Sequence, residues 1–284
     1  MSRIVYVNGE YLPEEKAKIS VFDRGFLFSD GVYEVISVLN GKLIDTRGHM
    51  LRLNRSLGEL DMAAPCSAVE IESIVKKLVA ENSVEQGLVY LQITRGAADR
   101  DFFYPENPSP TLVMFTQSKN LLDDPNAEQG IDVITVPDLR WQRRDIKSVG
   151  LLYPCMAKME AKMAGAKDAW MLDADGYVTE GTSNNAWIIT QEGTIVTRQL
   201  SNDILHGITR KAVMALAGEN DFSVEQRPFT PAEAYEAAEA FVTSATTFVM
   251  PVVKIDAAAI GNGLPGEMTG KLREIYIDMA LRTE

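Results

Sequence analysis

Residues 32–44 read Val32-Tyr33-Glu34-Val35-Ile36-Ser37-Val38-Leu39-Asn40-Gly41-Lys42-Leu43-Ile44. Most of the first eight residues are β-branched or aromatic, which favours a strand over residues 32–39. Asn40-Gly41 separates this strand from a second, shorter run. Asn-Gly between such runs favours a type I′ turn, because both central residues take positive φ at low cost. The stretch therefore predicts a β-hairpin.

The residues on either side of this hairpin predict a mixture of strands and helices. A second Asn-Gly pair, Asn8-Gly9, indicates another hairpin near the start of the chain. After residue 44, apolar residues recur every three or four positions over residues 50–60 and 71–79, which predicts two helices. Strands over residues 88–94 and 111–116 follow, and a loop with three prolines joins them.

The second half of the chain repeats this mixture. Strands are predicted over residues 131–136, 169–172, 185–190, 194–197 and 240–243, and helices over residues 151–166, 208–217, 231–238 and 267–281. Hairpins and clustered helices indicate an α+β fold, because a fold built on a parallel sheet would need strands and helices that strictly alternate along the chain. The apolar periodicity weakens after residue 117, which indicates a linker between two domains. The predicted ranges are an N-terminal α+β domain (1–118), a linker (119–124) and a C-terminal α+β domain (125–284).

Composition restricts the chemistry that this chain can carry out. Its 28 basic and 40 acidic residues give a net charge of −12, which argues against a nucleic-acid-binding face or a polybasic membrane patch. With only two His and two Cys, no CxxC or HxxxH spacing exists, and we expect no metal site. The chain shows no signal-peptide core and no run of ~18 apolar residues, so we expect a cytoplasmic protein.

Two segments carry residues suited to cofactor chemistry. Lys147 ends a cluster of four cations within eight residues, and such crowding favours the neutral amine that Schiff-base chemistry requires. From composition alone, a solvated basic edge is the more common explanation of such a cluster, because most lysines merely solvate a surface. Glu180 lies among small hydroxyl and amide residues, where a carboxylate can keep a ring nitrogen protonated. The same composition is typical of a plain loop.

Three further segments are suited to binding anions. Gly207 precedes a predicted helix, and the first N–H groups of a helix attract phosphate. Thr243-Ser244-Ala245-Thr246-Thr247 offers four hydroxyls just after a strand. Arg100, in the long loop, is able to clamp a carboxylate through two hydrogen bonds. Each of these signals is weak alone, because helix starts, threonine-rich turns and solvated loop arginines are common.

Taken in order, the segments resemble the fold-type IV pyridoxal-phosphate enzymes, and among them the D-amino-acid transaminases most closely. The resemblance spans nearly the whole chain with compatible spacing, although no single motif decides it. Eight segments carry it: Asp23-Arg24-Gly25 with Asp30-Gly31-Val32-Tyr33-Glu34-Val35, His49 with Arg52-Leu53, Thr94-Arg95-Gly96, Arg140-Trp141, Asp145-Ile146-Lys147-Ser148, Val178-Thr179-Glu180-Gly181, Gly207-Ile208-Thr209-Arg210 and Phe241-Val242-Thr243-Ser244.

The resemblance implies a two-domain α+β homodimer with pyridoxal 5′-phosphate as its cofactor. Lys147 would bind the cofactor as a Schiff base and move the substrate proton, and Glu180 would hold the pyridine nitrogen protonated. The phosphate would be held by Arg52, Ile208, Thr209, Ser244, Ala245 and Thr246. Relatives usually have Thr where Ala245 stands, so a backbone N–H or the Thr246 hydroxyl must serve there.

For the substrate, the resemblance implies transfer of an amino group between a D-amino acid and a 2-oxo acid. Tyr33 and Arg100 occupy two positions that hold the substrate carboxylate in relatives, but Phe102 stands where relatives have His, and Ser37 where Lys is common. A branched-chain L-amino-acid or (R)-amine transaminase, an aminodeoxychorismate-type lyase and a non-catalytic dimer that binds the cofactor are the alternatives.

Overall fold

The computed structural model describes residues 2–282, which divide into two compact units. Unit 1 contains residues 2–121 and 146–150, and unit 2 contains residues 122–145 and 151–282. The outer ends of the predicted domains, Met1 and Thr283–Glu284, lie outside the described residues. The two units differ from the predicted ranges chiefly at Ile146–Gly150, because this segment packs with unit 1.

Unit 1 is built on a six-stranded antiparallel sheet in the order β2-β1-β6-β5-β3-β4. Its strands are β1 (Ile4–Val7), β2 (Glu10–Pro13), β3 (Gly31–Leu39), β4 (Lys42–Leu43), β5 (Gln86–Thr94) and β6 (Thr111–Ser118). Its helices are α1 (Arg24–Phe28), α2 (Thr46–Glu59) and α3 (Ala68–Glu81). The apolar stripes of α2 and α3 belong to the same core as the buried face of this sheet.

Both hairpins predicted from Asn-Gly pairs are confirmed. Asn40 and Gly41 have φ of 52° and 72°, and Asn8 and Gly9 have φ of 46° and 104°. Positive φ at both central residues matches the twist of a two-residue hairpin, which fixes the register of β3 against β4. At α3, a reciprocal pair of hydrogen bonds between Ser67 and Glu70 forms a capping box that starts the helix.

Unit 2 contains a nine-stranded mixed sheet in the order β12-β11-β10-β13-β14-β7-β8-β9, with β15 paired to β14. The strands are β7 (Ile131–Pro137), β8 (Asp168–Leu172), β9 (Val178–Gly181), β10 (Asn185–Ile189), β11 (Ile195–Thr197), β12 (Val224–Gln226), β13 (Glu239–Ser244), β14 (Phe248–Ile255) and β15 (Ala258–Ala259). The helices are α4 (Pro125–Gln129), α5 (Leu152–Met163), α6 (Ile208–Glu219), α7 (Pro231–Tyr235) and α8 (Glu267–Arg282).

The α+β class is confirmed, while four strands of unit 2, β9, β12, β14 and β15, escaped prediction. The loop interpretation of the segment around Glu180 is wrong, because residues 178–181 form the buried strand β9. The strand β14 is missing from the prediction, since Pro251 interrupts its apolar run and a proline lowers the signal for a strand. Within residues 2–282, no helix is long and apolar enough to span a lipid bilayer.

Candidate active site

Lys147 lies in unit 1 against β3. Its carbonyl oxygen accepts a 3.0 Å hydrogen bond from the Tyr33 N–H, and its own N–H donates to the Ser56 hydroxyl at 3.3 Å. The Val149 N–H donates to the Gly31 carbonyl, so residues 146–150 run along the start of β3. The backbone that carries Lys147 is therefore held independently of its side chain.

The Lys147 amine faces an aromatic stack. Its Nζ lies 4.2 Å from the centre of the Tyr33 ring, and Tyr33 stacks on Tyr90 at 5.6 Å between ring centres. Tyr90 stacks in turn on Phe115 at 4.8 Å. Burial, followed by the neighbouring Tyr33, raises the pKa of Tyr90 to about 12, so Tyr90 is neutral at physiological pH. The stack restricts the Tyr33 ring and presents its face to the amine.

The three arginines of the cationic cluster all pair with carboxylates. Arg140 contacts Asp138 and Glu180, Arg143 contacts Asp145, and Arg144 contacts Asp138 and Asp203. Carboxylates therefore balance the positive charge of all three arginines, and the sequence prediction did not include these partners. The interpretation of the cluster as a solvated edge fails for Arg140, whose side chain is only 12% exposed.

Glu180 is buried in unit 2 with both carboxylate oxygens bound. Oε1 accepts a 2.6 Å hydrogen bond from Arg140, and Oε2 accepts one of 2.9 Å from the Asn185 side chain. The Leu205 N–H lies 3.1 Å from both oxygens. Burial raises the pKa of the Glu180 carboxyl group, and the charge of Arg140 opposes that rise. The result is an oriented carboxylate whose charge depends on one arginine.

Asn185 connects Glu180 with the two predicted phosphate-binding segments. A Cβ atom on Gly207, the residue before α6, would lie 2.0 Å from Asn185 Oδ1, so only glycine fits. Asn185 also pairs across the sheet with Thr243, next to Ser244. The start of α6, the end of β13 and Glu180 therefore converge within unit 2, and Asn185 is a site residue that the sequence prediction missed.

The start of α6 suits an anion. Its N-cap residue, Gly207, has no side chain that could cap the helix, and the first N–H groups of a helix have no partner inside it. In the nearby turn, the Ser244 hydroxyl lies 2.8 Å from that of Thr247 and accepts the Thr247 N–H at 3.2 Å. Uncapped N–H groups beside hydroxyls, with a buried carboxylate close by, fit a phosphorylated pyridine cofactor such as pyridoxal phosphate.

Arg52 and Glu34 form a buried ion pair in unit 1. Nε and Nη2 of Arg52 donate to the two Glu34 carboxylate oxygens at 2.8 and 2.7 Å, and His49 Nδ1 lies 2.7 Å from Oε2. Burial acts to raise the pKa of Glu34, but Arg52 and His49 outweigh it and hold this pKa at about 2. The guanidinium direction of Arg52 is thus fixed by Glu34, to which the sequence prediction gave no role.

The remaining predicted residues lie in the loop after β5. The guanidinium carbon of Arg100 lies 5.2 Å from the Phe28 ring centre and 5.6 Å from that of Phe102. The Phe102 side chain is 79% exposed and packs edge-on against Phe28. The structure therefore brings Arg100 and Phe102 together, and separately brings Lys147 and Tyr33 together.

The anchored lysine of unit 1, and the buried carboxylate and helix start of unit 2, are each suited to the chemistry of a phosphorylated pyridine cofactor. The chain belongs to the amino-transferase class IV family, whose model matches residues 31–255. Enzymes of this class depend on pyridoxal 5′-phosphate, and this chain is one of them.

Comparison with individual proteins supports this assignment. The chain is 40% identical over 267 residues to the D-alanine aminotransferase of Bacillus licheniformis, with 93% of each chain covered. It is 38% identical over 273 residues to the D-alanine aminotransferase of Staphylococcus epidermidis, with 95% of each covered. Among solved structures, the branched-chain aminotransferase of Thermoproteus uzoniensis with norvaline aligns with a TM-score of 0.88 at 27% identity, and the alignment covers 99% of this chain and 95% of that one.

Proposed function

We propose that this enzyme transfers an amino group between a D-amino acid, such as D-alanine, and a 2-oxo acid, such as pyruvate or 2-oxoglutarate. The observation that carries the proposal is the identity of 38–40% to D-alanine aminotransferases along 93–95% of both chains. The similar branched-chain enzyme shares only 27% of its residues with this chain, so it supports the fold more than the substrate.

Lys147 is proposed to bind the cofactor covalently and to move the substrate proton. When bound, pyridoxal phosphate supplies the electron sink that allows the substrate Cα–H bond to break. A general base needs a fixed position and one mobile proton site, and the Lys147 amine, on its anchored backbone, offers both. Tyr33, whose ring lies under the amine, limits the directions that the amine can take.

Glu180 is proposed to hold the pyridine nitrogen protonated, since its carboxylate is buried and oriented by Arg140, Asn185 and Leu205. The phosphate is proposed to bind to Arg52, the first residues of α6 and the turn after β13, which means Arg52, Ile208, Thr209, Ser244, Ala245 and Thr246. Ala245 has no side-chain donor, so the proposed contact there is through its backbone, and the Thr246 hydroxyl is the side-chain alternative.

The substrate carboxylate is proposed to bind Tyr33 and Arg100. An arginine offers two parallel N–H donors to a carboxylate, and the exposed Arg100 keeps these donors available beside the Phe28 and Phe102 rings. Phe102 contributes no hydrogen bond where relatives have His, so the carboxylate has one donor fewer. We therefore propose that side-chain packing contributes more to substrate choice here than in relatives.

Half-reactions test the substrate class directly. The purified holoenzyme is expected to lose the visible absorption band of its cofactor when D-alanine is added, and to regain it with pyruvate. L-Leucine and L-valine are expected to leave the band unchanged. Loss of the band with the L-amino acids alone would contradict the proposal, as would release of pyruvate from an aminodeoxychorismate-type substrate without any 2-oxo acid acceptor.

The enzyme is proposed to act as a homodimer. Two segments of unit 1 carry large apolar side chains that are more than half exposed, among them Val21, Phe22, Phe26, Phe102 and Phe103. These segments are adjacent, since the Ala98 N–H donates to the Phe22 carbonyl and Arg24 reaches the carbonyl of Phe103. A contiguous apolar surface of this kind is typical of an interface between subunits.

Sedimentation equilibrium tests this proposal. It is expected to give twice the chain mass of 31.4 kDa, and a monomer at micromolar concentration would contradict the proposal.

We also propose a cytoplasmic location. Cys66 and Cys155 are unpaired, and thiols of this kind persist in a reducing compartment. Recovery of the native protein from an extracellular or periplasmic fraction would contradict this part of the proposal.

A further inference from the structure

Arg24, the first residue of α1, is a buried arginine that binds an exposed loop. It is only 3% exposed, yet its Nη1 donates to the carbonyls of Asp101 at 2.7 Å and Phe103 at 3.4 Å. Its Nε donates to Asp30 at 2.8 Å, and Arg95 donates to the same Asp30 oxygen at 2.8 Å. Asp30 thus has two cationic partners. Because Arg95 alone could balance the charge of Asp30, charge balance at Asp30 does not by itself explain why a second arginine, Arg24, is buried here.

Phe28 lies one helical turn after Arg24 and contacts the other side chains of this loop. Its ring centre lies 4.6 Å from the guanidinium carbon of Arg24 and 5.2 Å from that of Arg100. It also packs edge-on against Phe102, with 5.7 Å between ring centres. One ring thereby contacts two guanidinium groups, one buried and fixed, the other exposed on the loop.

The two contacts act on different parts of the same loop. The Arg24 hydrogen bonds hold the backbone of residues 101–103, which immediately follow Arg100. The Phe28 ring faces the Arg100 side chain, and a cation over an aromatic face is attracted by the ring quadrupole. A long exposed arginine samples many rotamers, so both contacts narrow the directions in which Arg100 points.

We propose that Arg24 and Phe28 are positioning residues that orient Arg100 toward the substrate carboxylate. The proposal rests on the proposed role of Arg100 in carboxylate binding. It assigns a function in substrate selection to α1, which contributes no group to the chemistry itself. Carboxylate affinity then depends on an aromatic ring and a buried arginine beneath the loop, and not on Arg100 alone.

Propionate, a carboxylate that cannot react, is the probe for this proposal. Its dissociation constant is measured by titration calorimetry on holoenzymes carrying Phe28→Leu, Phe28→Tyr and Arg24→Lys. Loss of a contact between an exposed cation, such as Arg100, and an aromatic ring corresponds to about a 3-fold change in affinity. We expect Phe28→Leu to weaken propionate binding by about 3-fold, Arg24→Lys to weaken it at least as much, and Phe28→Tyr, which keeps the ring, to bind as wild type does.

The decisive control combines these changes with Arg100→Met. If Phe28 acts through Arg100, Phe28→Leu is expected to have no further effect in the Arg100→Met background, as a double-mutant cycle reports. An equal loss in both backgrounds, or no loss in either, would overturn the proposal. If Arg100→Met alone leaves propionate binding unchanged, the positioning proposal and the carboxylate role of Arg100 fail together. Transamination of D-alanine by the wild-type sample then shows separately whether the proposed reaction stands.

Discussion

Replacement of Lys147 by alanine is expected to lower the rate of amino transfer by about 10⁴-fold, the upper end of what one general base contributes. The amine is the proposed point of covalent attachment for the cofactor as well as the proposed base, so one change removes both functions. The fold is expected to survive, because the Tyr33 and Val149 hydrogen bonds that hold this segment come from the backbone. Turnover of D-alanine with 2-oxoglutarate measures the loss.

Borohydride reduction provides a second measurement that does not depend on turnover. The reduced wild-type holoenzyme is expected to carry the cofactor mass on the peptide that contains Lys147, whereas the Lys147→Ala protein is expected to carry none. Lys162→Ala is the matched control, because Lys162 is an exposed lysine on α5 and its removal is expected to leave rate and labelling unchanged. Cofactor mass on another lysine in wild-type protein would contradict the assignment of Lys147.

The parts of the fold that local chemistry dictates were predictable from the sequence. The turns at Asn8 and Asn40 follow from backbone preference, and α3 follows from its apolar spacing. The strand β9 was not predictable, because its four residues form a strand through pairing with β8, where Val178 lies opposite Leu172. A strand that short acquires its conformation from its neighbours, and propensity carries little information about it.

The proposed site, like the fold, was predictable from the sequence only in part. Lys147, Glu180 and Arg52 were suggested by their segments, but the partners that orient them were not. Glu34 lies 18 residues before Arg52, and Arg140 lies 40 residues before Glu180. A salt bridge at such separations leaves no spacing pattern in one sequence, since only the folded chain brings the two side chains together. A buried charge, however, requires a partner, so an acidic residue inside a predicted apolar strand, as Glu34 is, was a usable signal.

Removal of Arg140 is the second change with a large expected effect. Arg140→Met is expected to destabilise the apoprotein by about 3–5 kcal/mol, since it leaves the buried carboxylates of Glu180 and Asp138 without their shared partner. Burial already raises the pKa of Glu180, and the charge of Arg140 opposes that rise. Removal of Arg140 is therefore expected to raise the pKa of Glu180 further. A group with a raised folded-state pKa loses its contribution to stability as pH increases from about 4.3, so the destabilisation is expected to be larger at pH 8 than at pH 5.

Urea unfolding of the apoprotein at the two pH values measures this effect apart from catalysis. Arg227→Met is the matched control, because Arg227 also binds two carboxylates, Glu225 and Glu233, but at the surface, where such pairs contribute about 0–1 kcal/mol. The double variant Arg140→Met/Glu180→Gln is expected to regain part of the lost stability, since it removes the buried charge that Arg140 balanced. Additive losses in the double variant, or equal losses for Arg140→Met and Arg227→Met, would show that Arg140 does not maintain the ionised Glu180. Another group would then have to keep Glu180 ionised if Glu180 is to hold the pyridine nitrogen protonated, because a fully buried carboxyl group without a charged partner is neutral at physiological pH.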